Sequence, residues 1–185
     1  MALAAQKDVM NRADFLDWET TQTEKHDYWQ GEIFNMTGAR QVHVNITLNV
    51  ATLLKQHLRG SGCRAYMADM QLEVESADAV FYPDVFVSCH PEDLAADRVL
   101  HHPKVIIEVL SDSTAAYDRG QKFSAYRSID SLQEFVLIEP ARRTLEIYRR
   151  TDSNDWLLAT NDSAHGLTLK SIDFFADLAA VFEDV

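Results

Sequence analysis

The sequence predicts a single α/β domain, a mixed sheet flanked by helices. Three observations lead there. Residues 105–110 (Val-Ile-Ile-Glu-Val-Leu) are apolar on both faces apart from Glu108, the pattern of a central strand covered on both sides. Residues 135–138 (Phe-Val-Leu-Ile) make a second buried strand. Across 40–59, Val42, Ile46, Val50, Leu53, Leu54 and Leu58 recur at spacings of three and four, so a long helix carries one apolar face. A chain of 185 residues suffices for one full core. The expected domain therefore spans 1–185, with 1–22 as an N-terminal helical extension and 23–185 as the core.

Residues 11–19 read as a short amphipathic helix capped by Asn11, with Phe15, Leu16 and Trp18 packing on the body. After a turn at Gly31, Glu32 begins the first strand. Taken alone, Glu32 is an exposed edge residue. The long helix follows and ends at Gly60 and Gly62. His43 and His57 lie on or near it, and each is either structural or a phosphate contact that titrates near neutrality.

Residues 63–67 are a weak strand. Met70, Leu72 and Val74 alternate with polar residues in a half-exposed strand. Residues 76–79 turn the chain, and 80–87 return to complete a hairpin. Pro83 lacks an amide hydrogen and suits an edge or a bulge. Asp84 beside it is either a turn residue between two short strands or a carboxylate aimed by that bulge. Residues 90–102 are polar, with charge of both signs, and read as a surface flap.

Residues 111–114 (Ser-Asp-Ser-Thr) supply capping groups for a helix over 115–126. Asp118 and Lys122 fall at i,i+4 on one face, with Tyr126 four residues further along. That pair is a surface salt bridge or part of a site. Residues 144–148 pair back on the second buried strand, and 156–158 form a short strand. Arg142, Arg143, Arg149 and Arg150 near this hairpin either line a nucleic-acid path or solvate it. Residues 172–182 close the chain as an apolar-faced helix begun near Asp173. There is no internal repeat, low-complexity segment or linker.

No stretch approaches the ~20 apolar residues of a membrane span. The apolar run within residues 1–7 is too short for a signal peptide, so a cytoplasmic location is expected. The two cysteines, Cys63 and Cys89, lack CxxC spacing and are expected as reduced thiols without zinc. With 17 basic and 29 acidic residues the net charge is −12, which argues against a broad non-specific nucleic-acid binder. It leaves room for a nuclease, because a divalent ion neutralises active-site carboxylates locally.

Glu108 is the strongest anomaly. Ionised within an apolar strand, it carries a heavy desolvation cost unless a cation or donors meet it. Otherwise it is a strand-end Glu reaching solvent or an arginine. Asp84, Glu108 and Lys122, each beside a strand or helix, are the parts of a metal-dependent phosphodiesterase.

In Gly31-Glu32, Tyr82-Pro83-Asp84-Val85, Ile107-Glu108-Val109-Leu110-Ser111, Asp118-Arg119-Gly120-Gln121-Lys122 and Glu134-Phe135-Val136-Leu137-Ile138-Glu139-Pro140, the chain resembles the Uma-two family of restriction endonucleases, within the PD-(D/E)XK nuclease superfamily. The order and spacing of these pieces, over about 28–182, carry the resemblance. It implies a restriction-endonuclease-like mixed β-sheet flanked by helices. It implies Asp84 and Glu108 as metal-binding carboxylates, with the carbonyl of Val109 as a further ligand. The superfamily's lysine lies two residues after the Glu, where this chain has Leu110; in this family it has moved to the following helix, matching Lys122. Glu32 matches an upstream acidic residue that completes the site, and His43, Asp118 and Tyr126 are supporting candidates.

The implied cofactor is Mg²⁺, with Mn²⁺ as a substitute, since hard oxygen ligands at low count suit Mg²⁺. The implied substrate is DNA, without a membrane. A homodimer follows if both strands of a duplex are cut. Two rivals stand beside this reading: a non-enzymatic binding or assembly module that keeps a nuclease fold, and a metal-dependent hydrolase acting on something other than DNA.

Overall fold

The computed structural model describes residues 10–36, 38–159 and 165–185. Residues 1–9, with the N-terminal run read above and part of the 1–22 extension, lie outside them. Among the described residues no helix is long and apolar enough to cross a membrane.

Helix α1 (Arg12–Glu19) is capped by Asn11, whose side chain accepts the Asp14 N–H. Strands β1 (His26–Trp29) and β2 (Glu32–Asn35) form a hairpin about Gln30-Gly31. Helix α2 (Gln41–His57) buries Ile46, Val50 and Leu54. Then come β3 (Arg64–Met67), β4 (Gln71–Val74), β5 (Ala79–Phe81) and β6 (Val85–Ser88). After α3 (Pro91–Ala95) follow β7 (Val99–Leu100) and β8 (Pro103–Val109). Next, α4 (Ala115–Tyr117), a π-helical turn (Asp118–Lys122) and α5 (Phe123–Tyr126) run on continuously. Strands β9 (Glu134–Glu139), β10 (Thr144–Arg150), β11 (Trp156–Leu158), β12 (Gly166–Leu169) and β13 (Phe174–Asp177) lead to α6 (Leu178–Val181).

The mixed central sheet has the order β11-β10-β9-β8-β6-β3, with β8 and β9 parallel and the other neighbours antiparallel. One face packs on α2, the β12–β13 hairpin and α6 through Val85, Val105, Ile107 and Val109. The other packs on α5 and on a second sheet, β2-β1-β5-β4-β7, through Phe86, Ile106, Leu110 and Leu137. Coverage on both sides is why β8 is apolar on both faces. Glu108 alternates with Ile107 and Val109, so it points into the layer shared by the two sheets and α5.

Residues 80–87 are therefore not one returning strand. β5 pairs with β4 as expected, but Tyr82-Pro83-Asp84 carries the chain across to the central sheet, where β6 begins. Pro83 suits a crossing because it has no N–H to leave unpaired. Buried Glu19 ties this crossing to the N-terminal region: it accepts the His26 N–H at 2.8 Å and the Tyr82 hydroxyl at 3.1 Å, and meets His26 Nδ1 at 2.8 Å.

Four expectations need correction. Cys63 and Cys89 are not thiols but a disulfide, since the β3–β6 register sets Arg64 opposite Ser88 and brings the preceding Cys63 opposite Cys89. The 90–102 flap contains α3 and β7, held by buried Asp93, which accepts the His101 and His102 N–H groups at 2.9 Å each. The closing segment is not one helix. Phe174 and Ala176 are buried in alternation on β13, and only four residues form α6. Three of the hairpin arginines are engaged within the chain. Arg149 pairs with Glu134, Arg150 donates to the carbonyls of Arg127 and Ile129, and Arg143 donates to those of Phe182 and Val185.

Candidate active site

Two strand ends meet at the centre of the site. Val85 pairs with Ile107 in the antiparallel β6–β8 ladder, so Asp84 just before β6 lies opposite Glu108 near the end of β8. The Asp84 N–H donates to Glu108 Oε2 at 3.2 Å, and the Val109 N–H donates to Asp84 Oδ2 at 2.7 Å. Each carboxylate is thus aimed by the other's strand.

Helices bring the remaining groups. The π turn follows the cap at Ser111 and Thr114 and spans Asp118 to Lys122. A π turn holds more residues than the 3.6 of an α-helix, so a residue and its i+4 neighbour stand more nearly in line. Lys122 Nζ lies 3.2 Å from Glu108, 3.5 Å from Asp27 and 3.8 Å from Asp118. Tyr126, one turn on, donates its hydroxyl to Glu108 Oε1 at 2.8 Å. From the other face, His43 in the first turn of α2 places Nε2 3.1 Å from Asp84 Oδ2.

The expected residues Asp84, Glu108, Lys122, His43, Asp118, Tyr126 and Val109 thus come together. Glu32 does not join them. It is exposed at the turn end of β2, and among the described residues no hydrogen bond or ion pair links it to the group. The acidic residue on this hairpin that reaches Lys122 is Asp27 of β1, 5% exposed and also accepting the Tyr82 N–H at 3.1 Å. Sequence reading missed it. Its signal was a carboxylate next to Tyr28-Trp29, obscured by Glu24, Lys25 and His26 just before it.

Charge separates this group from an ordinary buried ion pair. Buried Glu134 is met by the Arg149 guanidinium, the Lys170 and Ser171 N–H groups and the Ser171 hydroxyl, so its charge is fully answered. Here Asp27, Glu108 and Asp118 share the single ammonium of Lys122, 6% exposed, while Asp84 beside them meets His43. Burial pushes Glu108 up to about 8; Lys122 pulls it back, and Asp84 and Asp118 add to the rise. Burial likewise raises Asp27 and Asp118. Burial alone would lower Lys122, but Asp27 and Glu108 hold it well above its usual range. For His43, burial lowers the imidazole, but the hydrogen bond to Asp84 and the charges of Asp84 and Asp118 together raise it. Fully ionised, the four carboxylates carry more negative charge than Lys122 and His43 balance. Carboxylate oxygens with excess charge are the donor set of a hard divalent cation. The side chains of Asp84 and His43, 18% and 19% exposed, mark the side open to solvent.

A pH dependence follows. The folded state holds the Glu108 proton more tightly than an unfolded chain with the ordinary value of 4.5. Its contribution is complete below that value and is lost as pH rises through about 8. Raised Asp27, Asp118 and His43 act in the same direction. Metal-free protein is expected to lose on the order of a few kcal/mol of stability between about pH 5 and pH 8. Glu108→Gln should flatten that slope. Urea unfolding across the range checks it, and an unchanged slope in the variant would show that Glu108 does not set it.

Comparison with known proteins adds the following. Residues 12–179 match the family described as "Uma2: Putative restriction endonuclease". Two proteins of Synechocystis sp. (strain ATCC 27184 / PCC 6803 / Kazusa) are similar. "Uncharacterized protein slr1290" is 35% identical over 159 residues, 86% of this chain and 84% of its own. "Uncharacterized protein sll1609" is 33% identical over 160 residues, 85% and 90% of the two chains. Among solved structures, a "putative nuclease belonging to DUF820" from Anabaena variabilis ATCC 29413 is similar with a TM-score of 0.75 over 94% of this chain and 97% of that one. At 16% identity that likeness is one of fold.

Proposed function

The chain belongs to the Uma2 family, and from that premise we propose that it is a Mg²⁺-dependent endonuclease that hydrolyses phosphodiester bonds in DNA. One observation carries the reading. Asp84 and Glu108 face each other across adjacent strands, and Glu108 shares one buried lysine with Asp27 and Asp118.

Asp84, Glu108 and the Val109 carbonyl would hold the ion. When bound, Mg²⁺ supplies positive charge to the phosphate and lowers the pKa of a water at neutral pH. The protein's own groups do the rest. The Asp84 and Val109 N–H bonds fix both carboxylates before substrate arrives, so no reorganisation is needed during the reaction. His43 holds Asp84 from the solvent side, and Tyr126 holds Glu108 from beneath. Lys122 Nζ, kept charged by its carboxylates, orients the attacking water or neutralises charge developing on the phosphate oxygens. Asp27 and Asp118 fix the ammonium in place. The attacking water gives a proton to solvent as its oxygen bonds to phosphorus, the opposite P–O bond breaks, and the leaving oxygen takes a proton from solvent. Two copies would act together where both strands are cut.

Mn²⁺ calorimetry near neutral pH tests the metal site. Wild type should bind, and Asp84→Asn should weaken binding at least about tenfold, since even outer-shell partners of metals are worth that much. Binding equal in both proteins would remove Asp84 from the site. No binding to wild type, with or without DNA, would turn the reading toward a nuclease fold that binds a partner without cutting.

A further inference from the structure

A second group of metal-ligand type lies at the far end of the same strands. Cys89-His90 follows β6, His102 precedes β8, and Glu92 sits in the first turn of α3. One donor atom from each of His90, Glu92 and His102 falls within 4.8 Å of the other two. The group lies on the order of 15–20 Å from Asp84 and Glu108, counting about 3.3 Å per strand residue. It shares no residue with them.

Three features set this group apart from a chance gathering of side chains. The two imidazoles pack with ring centroids 4.0 Å apart. His90 Nδ1 is buried and, among the described residues, has no hydrogen-bond partner. A buried polar atom without a partner is rare and calls for one. His102 Nε2 and Glu92 Oε2 lie 3.4 Å apart. Two donors on a tetrahedral zinc, each about 2.0–2.2 Å from the ion, stand roughly 3.3–3.5 Å from each other. The backbone around the group is already fixed. Ser88 donates its hydroxyl to the His102 carbonyl at 2.9 Å and accepts the His90 N–H at 3.2 Å. Asp93 holds the N–H groups of His101 and His102.

We propose that His90, Glu92 and His102 form a zinc site separate from the carboxylate–lysine group, pinning the start of α3 to the start of β8. Two imidazoles and one carboxylate are borderline donors that favour Zn²⁺ over Mg²⁺. The half-exposed His102 and the exposed Glu92 leave the fourth position to water. Because the ligands join segments on either side of α3, the ion should protect that segment from local opening.

The test is calorimetry of Zn²⁺ alone into the chelator-treated full chain. Wild type should take up a tight equivalent that persists in Glu108→Gln. His102→Ala and Glu92→Gln should each weaken that equivalent at least about tenfold. In the Glu108→Gln background Zn²⁺ should also raise the melting temperature, and adding His102→Ala should remove that rise. Glu92 is exposed, so Glu92→Gln decides the matter if His102→Ala folds poorly. The proposal is overturned if wild type takes up no zinc or if neither variant weakens uptake. It is equally overturned if uptake disappears in Glu108→Gln, which would place the ion among the carboxylates.

Discussion

Glu108→Gln should reduce DNA cleavage by about 10³-fold or more while leaving a folded protein. A divalent ion contributes several kcal/mol of charge stabilisation in the transition state. Each ~1.4 kcal/mol is tenfold in rate, so losing its hold on the ion is worth roughly three orders of magnitude. The substitution keeps the shape of the side chain but exchanges an anionic oxygen for an amide. Gln can still accept from Tyr126 or from the Asp84 N–H, though not from both through its single oxygen. One hydrogen bond, about 1 kcal/mol, is lost. Removing a buried charge from a group already rich in carboxylates offsets that loss, above all near pH 8, where wild-type Glu108 ionises. The variant should therefore be inactive but no less stable at alkaline pH. Plasmid nicking with Mg²⁺ or Mn²⁺, run beside urea unfolding, separates the two effects. Retained cleavage in a folded variant would show that Glu108 is not a catalytic residue.

How much of this site could be read beforehand depends on where its charges sit relative to apolar runs. Glu108 and Asp84 stood out because each interrupts a hydrophobic strand, and Lys122 because its spacing from Asp118 puts both on one helical face. Asp27 is buried just as deeply. Its strand is entered through polar residues, and the crossing at Tyr82-Pro83-Asp84 that brings it near Lys122 is a tertiary event without a local signature. The Cys63–Cys89 bond is hidden for the same reason, since it depends on the β3–β6 register across 26 residues. At the C-terminus two periods overlap. Leu178, Val181 and Phe182 have helical spacing, and that pattern masked the alternation of Phe174 and Ala176 on β13. The 90–102 segment is ordered by Asp93 accepting backbone N–H groups, an arrangement to which hydropathy is blind. The fold class and the main carboxylates were therefore legible, because they violate or follow hydrophobic patterning. Contacts made by polar groups across sheets were not.

Lys122→Met should destabilise the protein by about 3–5 kcal/mol, the range for removing one partner of a buried ion pair. Methionine fills nearly the same space, so packing against Phe81 and Tyr117 is largely kept. What disappears is the ammonium that meets Asp27, Glu108 and Asp118. Their repulsion then has no internal counterweight, and they must take up protons or recruit an external cation. Two consequences distinguish this from ordinary core damage. First, at alkaline pH, where Glu108 is driven to ionise, adding Glu108→Gln to Lys122→Met should restore part of the lost stability, because it removes one of the stranded charges. The double-mutant cycle should therefore show a coupling of about 1–3 kcal/mol between positions 108 and 122. Second, Mn²⁺ should stabilise Lys122→Met more than wild type, since the ion replaces the missing positive charge among the same oxygens. Cleavage should nevertheless stay low, because no ammonium remains to act on the water or the phosphate. A Lys122→Met protein as stable as wild type, with no coupling to Glu108→Gln, would mean that the carboxylates are already neutral in the folded chain. The excess of negative charge on which the metal site rests would then be absent.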